Sequence, residues 1–426
     1  MTDRDLGALL EQASDGLPEL DLAEQAWAAA VAQRQQRRRL LTGSVAALAA
    51  AGVAVTAVQV AGSPTPSPTP RPAPAASSTT TAAATKAGTL SDGTPYAVMP
   101  AEGTEGRLQF RDLGLPRRID AEARATDLST LKEPLDAIAA VYLRELRGAR
   151  YQPVLVTPAG EQVLVDTLTL ASTTDGNNLG APMGLRAVGE GGRYVVFAQP
   201  GKVVRLDTRS GDTVSYPVPS PVLEWAGWGA AGSVIVARDA EHAWTIDPRQ
   251  PGADAVPVGG DGGYEGTFRI TTSDTTPVEV RVTRFDDRAV PGAALPLKAP
   301  VFQTWGETVN TAQWAATGAF FDQEVTSAAL AGSYQGLLAV DTEQLDARVL
   351  LAPENPGGQQ GRTKGCCVPL AWADASTLVY RSSGSSGSWL LAWDLRTNEV
   401  SRMSQLGGAG GSGYPTALAL NVGSRD

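Results

Sequence analysis

The histidine and cysteine chemistry of this sequence rests on three side chains: His242, Cys366 and Cys367. A zinc centre takes four ligands at characteristic spacings, and two adjacent cysteines with one histidine supply neither the number nor the spacing. A Ser-His-Asp arrangement would have to use His242. That residue stands between Glu241 and Ala243, no nucleophile elbow occurs in the chain, and it reads as an ordinary loop or strand residue. Asp261, Glu265, Asp286 and Asp287 are of the type used by glycosidase acid–base pairs and by calcium. A glycosidase is defined by the separation of its carboxyls, and no EF-hand-like spacing is present, so these acids read as surface charge. Glycine runs at 259–263 and 407–413 lack the Gly-Lys-Ser/Thr ending of a phosphate loop. No catalytic group, metal site or cofactor is expected.

What must position these residues begins with a membrane segment. Residues 40–61 form 22 positions without a charge, about the length a helix needs to cross the hydrocarbon core. Arg34, Arg37, Arg38 and Arg39 precede it directly, and Arg71 is the only basic residue between it and Lys86. The positive-inside rule then puts the N-terminus in the cytoplasm and the long C-terminal part outside the cell membrane. A cleaved signal peptide has a short charged start, whereas 39 residues precede this run. In the tail, residues 1–39, Asp21 and Glu24 suit a capping box, and Leu22, Ala26, Trp27 and Ala30 share a helix face. The tail is too short to bury a core. It reads as a topogenic flank or as a docking helix for a cytoplasmic protein. Residues 62–88, rich in Pro, Ser, Thr and Ala, read as an extended tether.

Residues 89–426 read as one extracytoplasmic all-β domain. The chain of 426 residues holds 46 Gly and 29 Pro, a composition of many short strands. Net charge is −10 and no basic stripe appears, which excludes nucleic acid as the main partner. Four stretches share one plan, at 189–198, 228–237, 314–322 and 372–381: a lead-in, a tight turn and an apolar strand. Each is followed by a second strand ending in an aspartate, Asp207, Asp247, Asp341 or Asp394, placed to cap a turn through its side chain. The separations are 40, 94 and 53 residues, and 266–286 fits a degenerate copy in the wide gap. Segments 151–166 and 96–112 fit further units, giving about seven blades, with 416–422 completing a blade begun near Tyr96. Residues 127–147 carry apolar side chains at helical spacing and predict a helical insertion. The tryptophans after the tether fall mostly on repeat strands, which predicts core packing.

These turns resemble the strand pairs of TolB-type and WD-repeat β-propellers. The whole plan is similar to that of actinobacterial single-pass membrane proteins with a proline-rich tether, a family of undefined function. The TolB-type turn usually reads Ser-Pro-Asp-Gly and is degenerate here, so the resemblance carries over no binding residue. Paired β-sandwiches are the alternative architecture. The leading expectation is a membrane-anchored binding or sensing module without catalysis, with a protein or cell-wall glycan as ligand outside. Two alternatives are an anti-sigma-like membrane regulator and an extracytoplasmic polysaccharide hydrolase or lyase. Zinc-type anti-sigma domains place one His and two Cys near the N-terminus, and residues 1–39 contain neither.

Outside the cytoplasm, Cys366 and Cys367 would meet oxidising conditions. A vicinal disulfide stiffening the turn before Trp372 is favoured. Two buried thiols, a bond to another chain and a redox switch are the alternatives.

Overall fold

The computed structural model describes residues 86–426 apart from 176–177, 230–231, 240, 259–267, 274–277, 286–290, 327–328, 331–334, 354–361, 385–386, 408–415 and 421–426. The expected tail, span and most of the tether lie outside the described residues. Within the described residues no helix is long and apolar enough to cross a membrane.

Runs of β-branched and aromatic residues between Gly, Asp and Pro turns give antiparallel meanders that succeed one another along the chain. Among the described residues they form six blades. Blade 1 is Tyr194–Gln199, Lys202–Asp207 and Thr213–Pro217, with 182–188 along its inner edge. Blade 2 is Trp225–Trp228, Ile235–Arg238, Ala243–Ile246 and Val256–Val258. Blade 3, the degenerate copy, is Phe268–Thr272, Val280–Phe285 and Pro291–Leu297. Blade 4 is Val301–Asn310, Trp314–Phe321, Gln335–Asp341 and Ala347–Leu351. Blade 5 is Arg362–Trp372, Thr377–Gly384, Gly387–Asp394 and Val400–Gly407. Blade 6 joins the two ends of the domain. Its innermost strand is Thr416–Leu418, and the rest is Ala140–Leu146, Arg150–Val156 and Gln162–Leu164.

Blades stack face to face, so their middle strands are buried on both sides. All eight residues of Trp314–Phe321 and all seven of Gln335–Asp341 are buried. Apolar clusters join neighbouring blades. One sets Val141, Leu143 and Leu155 of blade 6 against Val195, Phe197 and Leu206 of blade 1, and others span blades 1–2, 3–4, 4–5 and 5–6. Each fully buried Leu, Val or Phe in them contributes about 1.5–3 kcal/mol. Inter-blade hydrogen bonds add direction. The Trp372 indole N–H donates to Val309 O at 3.1 Å, and the Trp228 backbone N–H donates to Arg186 O at 2.9 Å.

The segment before blade 6 behaves unusually. Pro95–Val98 runs parallel to Ala347–Leu351, Phe110 bridges Arg402, Arg118–Asp120 runs parallel to Val400–Gly407, and Thr126–Asp127 runs parallel to Gln162–Leu164. One stretch of chain thus lays an extra strand on the outer edges of blades 4, 5 and 6 in turn. The hairpin strand Ala87–Thr89 then covers Pro95–Val98. Arg402 Nε donates to Leu108 O at 2.9 Å, and the Ser404 hydroxyl donates to Pro116 O at 2.5 Å. The Phe110 ring takes the guanidinium groups of Arg117 and Arg402, 4.3 and 5.6 Å from its centroid. A belt of this kind removes open pairing edges. The outer strands of blades 1–3 gain no such addition among the described residues, and each carries proline, which withholds an N–H from an incoming strand.

Several expectations are corrected. The region 127–147 is not a helical insertion: Leu128–Thr130 is one 3-10 turn, and Ala140–Leu146 is a strand of blade 6. Ala140, Val141, Tyr142 and Leu143 are all buried, and a strand buried on both faces has a continuous apolar run that mimics a helix face. Among the described residues the blades number six rather than about seven, because the segment near Tyr96 supplies belt strands to blade 4 instead of a blade of its own. The strand Thr416–Leu418 closes the ring, but onto Ala140–Leu146 rather than onto the Tyr96 region. The single ring of meanders leaves no place for paired β-sandwiches.

Candidate functional site

In blades 1, 2, 4 and 5 the turn after the innermost strand and the turn before the outermost strand open on the same face. The repeat aspartates cap the latter. Asp207, Asp247, Asp341 and Asp394 accept the backbone N–H two residues on, from Arg209, Arg249, Glu343 and Arg396, at 2.9–3.0 Å. In blade 5 the former turn is capped by Asp374. Burial pushes its carboxyl up, but the N–H of Ser376, the Thr377 hydroxyl and N–H, and Arg111 outweigh that and hold it below the usual carboxylate range. Arg111, from the belt, bridges two turns, 3.2 Å from Asp374 and 3.7 Å from Asp394.

The centre of the ring is filled by the chain itself. Residues 182–188 hydrogen-bond to blade 1 through Ala187 O and Pro182 O and to blade 2 through Arg186 O. The N–H of Leu185 donates to the Glu307 carboxylate of blade 4, at 3.1 and 3.3 Å. The Leu185 side chain packs on the clusters of blades 4–5 and 5–6. A residue touching so many blades sits on the axis, so Gly184–Leu185–Arg186 occupies space that an open channel would leave to a ligand.

Off the axis, on the turn face, lies a half-open cavity of about 320 Å³. It is walled by belt residues 113–115, by 137–139 leading into blade 6, by Pro158, by Gly191 of blade 1, by Ala373 of blade 5, and by Ala419 and Leu420 after the closing strand. Gly191 and Gly192 have φ of +69° and +70°. A Cβ on Gly192 would meet Ile138 O at 2.8 Å, so the close approach of blades 1 and 6 beside the cavity requires glycine there.

His242 lies on an exposed turn of blade 2. Asp239 organises that turn, accepting the N–H of Glu241 at 2.9 Å, the N–H of His242 at 2.7 Å and the Ser220 hydroxyl at 2.7 Å. Burial raises the Asp239 carboxyl, and those donors lower it further than burial raises it. The His242 Nδ1 is 3.4 Å from Asp239 Oδ1, while the Ser220 hydroxyl donates to the other carboxylate oxygen. Asp261, Glu265, Asp286 and Asp287 lie outside the described residues, as do Arg34, Arg37, Arg38 and Arg39. No group of acidic, His or Cys side chains able to hold a metal occurs among the described residues. Of the tryptophans after the tether, 225, 228, 244, 314, 372 and 393 are buried, and Trp389 packs partly buried against the blade 4–5 cluster.

Cys366 and Cys367 are both buried in the inner strand of blade 5, with Cys367 Sγ 3.6 Å from Met99 Sδ of the belt. The two Sγ atoms are in bonding contact. Burial keeps both from a second chain, so a disulfide-linked dimer is not expected. Denatured, unreduced protein treated with a thiol-blocking reagent should show no blocked cysteine and an intact mass two hydrogens below the reduced chain. Two blocked thiols would refute the bridge.

The cavity residues carried no sequence signal, since Leu115, Ile138, Ala373 and Ala419 are ordinary small apolar residues. Only their place at the junction of the two ends of the domain brings them together.

No family model matches the chain, and no curated protein matches it. Among solved structures it is similar to a putative TolB from Agrobacterium tumefaciens, at 10% identity over 65% of this chain and 92% of that one, with a TM-score of 0.37. It is also similar to the Neurospora crassa Pan2 WD40 domain, at 11% identity over 69% and 89%, with a TM-score of 0.36. A third, U3-55K, has 8% identity over 66% and 84%, with a TM-score of 0.37. The fold assignment rests instead on the strand pairing described above: residues 87–418 of this chain build a β-propeller of six described blades, closed through its last strand.

Proposed function

We propose that this chain is a membrane-anchored binding or sensing module, with no catalytic step of its own. Residues 40–61 hold it in the cell membrane, the tail 1–39 stays in the cytoplasm, and the propeller is displayed outside on the 62–88 tether. The observation that carries the binding reading is the turn face, where loops of several blades meet around a cavity whose lining offers no nucleophile, acid or base. Composite loop surfaces on a rigid ring are suited to recognition. The anchoring reading is supported by the uncharged run 40–61 and the four arginines before it.

Fractionation tests the topology. The full chain should sediment with membranes, and protease added outside should remove everything beyond about residue 62 while sparing the tail. Recovery of the intact chain in the soluble cytoplasmic fraction would sink the anchoring. Affinity capture of wall glycan or of an extracytoplasmic protein tests binding. Co-purification of a sigma factor with the tail would move the reading to transcriptional regulation.

A further inference from the structure

Blades 1, 2, 4 and 5 pass from innermost to next strand within a few residues on the turn face, after residues 188, 228, 310 and 372. Blade 6 has no such connection, because its two inner strands, Thr416–Leu418 and Ala140–Leu146, come from opposite ends of the domain. The cavity stands where that connection would be. We propose that this seam cavity is a binding site for a small, uncharged, mainly apolar ligand of the medium-chain alcohol or ester class, and that its occupancy holds the ring closed. The inference rests on the binding-module reading and adds the place and chemistry of the ligand.

The lining sets the chemistry. Leu113, Leu115, Ile138, Pro158, Ala373 and Leu420 present carbon, and no lining side chain bears a charge or hydroxyl, so polar contact comes from main-chain groups alone. The volume of about 320 Å³ lies at the lower end of ligand-pocket sizes, which suits a short aliphatic molecule. Replacing water by hydrocarbon is favourable on the carbon part of this lining, and the main-chain groups that make up much of the rest suit a hydroxyl or ester oxygen. A carboxylate ligand would meet the wrong neighbours. Asp136 and Asp374 flank lining residues Ala137 and Ala373. The nearby cations are engaged, Arg111 with Asp374 and Asp394, and Arg209 with the Asp136 carbonyl at 3.4 Å.

Geometry also couples occupancy to closure. The Ala419 N–H donates to Ala139 O at 2.9 Å, the hydrogen bond that extends the seam past Leu418. Both residues also form the cavity wall. A ligand seated there packs on the two segments that must stay paired, and anything binding only the closed ring stabilises it.

The test uses the full chain in lipid nanodiscs, photolabelled with a diazirine-bearing octanol and mapped by peptide mass spectrometry. Saturable labelling is expected on peptides containing 113–115, 137–139 and 419–420, displaced by octanol, with slowed amide exchange at 138–142 and 416–419. The filling variant Ala373→Leu should cut that labelling about tenfold, a loss of about 1.4 kcal/mol. Ala419→Phe, in the segment after the closing strand, serves as the second variant, and a melting curve for each confirms a folded ring. Absent or non-saturable labelling in the cavity would overturn the site. Equal labelling by the diazirine-bearing octanoate would overturn the uncharged class, and labelling without altered exchange would overturn the link to closure. Capture of a glycan or protein by a chain that fails to label would leave the binding-module reading standing and remove only this site.

Discussion

Ala417→Asp is expected to open the ring. Ala417 is buried in the three-residue strand that closes blade 6, paired with Val141 and packed in the cluster shared by blades 6 and 1. An ionised carboxylate there has no partner and must either protonate or expel the strand. Losing the strand also uncovers Ala140, Val141 and Tyr142, with which it pairs. The combined loss is about 4 kcal/mol or more, a fall in Tm of about 6 °C or more at the unfolding entropy of a domain this size. Thermal melting by circular dichroism on the wild type, the variant and a chain ending before Thr416 checks it. A truncated chain that melts with the wild type would show that closure contributes nothing.

A comparable loss is expected from Gly336→Val, far from the seam. Gly336 lies in the buried strand Gln335–Asp341 of blade 4, opposite Leu351, and a Cβ there would run into the backbone carbonyl oxygen of Leu350. Neither strand can yield easily, since Trp314–Phe321 pairs on one side and the belt strand Pro95–Val98 backs Ala347–Leu351 on the other. Overpacking of this kind destabilises by about 3 kcal/mol. Gly201→Val, at a turn with open space around the missing Cβ, separates crowding from backbone strain: its φ of +72° disfavours valine, but no atom stands within 4 Å. Urea titrations should place Gly336→Val clearly below Gly201→Val. Equal midpoints would mean that blade 4 accommodates the methyl groups and that its packing is looser than described.

The repeat pattern was legible because it is written in local chemistry. An aspartate after an apolar strand caps its own turn, and Asp207, Asp247, Asp341 and Asp394 do so within two residues of themselves. Buried tryptophans on those strands were legible for the same reason. The failures share one cause, which is distance along the chain. Ala140–Leu146 reads as helix because its two faces are covered by blades 1 and 5, which lie far along the chain, and nothing in its own sequence reveals that cover. Tyr96 reads as the start of a blade because a belt strand carries the same apolar alternation as a blade strand. The cavity was invisible, since its walls come from six separated stretches of small apolar residues.

The seam also governs the order in which this domain comes into being. Thr416 pairs with Tyr142, so the inner edge of Ala140–Leu146 stays without its native neighbour until almost all of the domain exists. Contacts that distant raise the mean sequence separation on which folding rates depend, and they postpone the last gain in stability to a single late event. Blades 1–5 are meanders of near neighbours and can form early, each resting on the one before. Until the final strand arrives, the nascent molecule is an open crescent with an exposed strand edge at Ala140–Leu146, and such edges recruit other chains. The belt on blades 4, 5 and 6 shields the outer rim during that interval but leaves this inner edge bare. Aggregation during synthesis, rather than loss of the finished ring, is therefore the hazard built into this topology, and it grows with any delay in making residues 416–418.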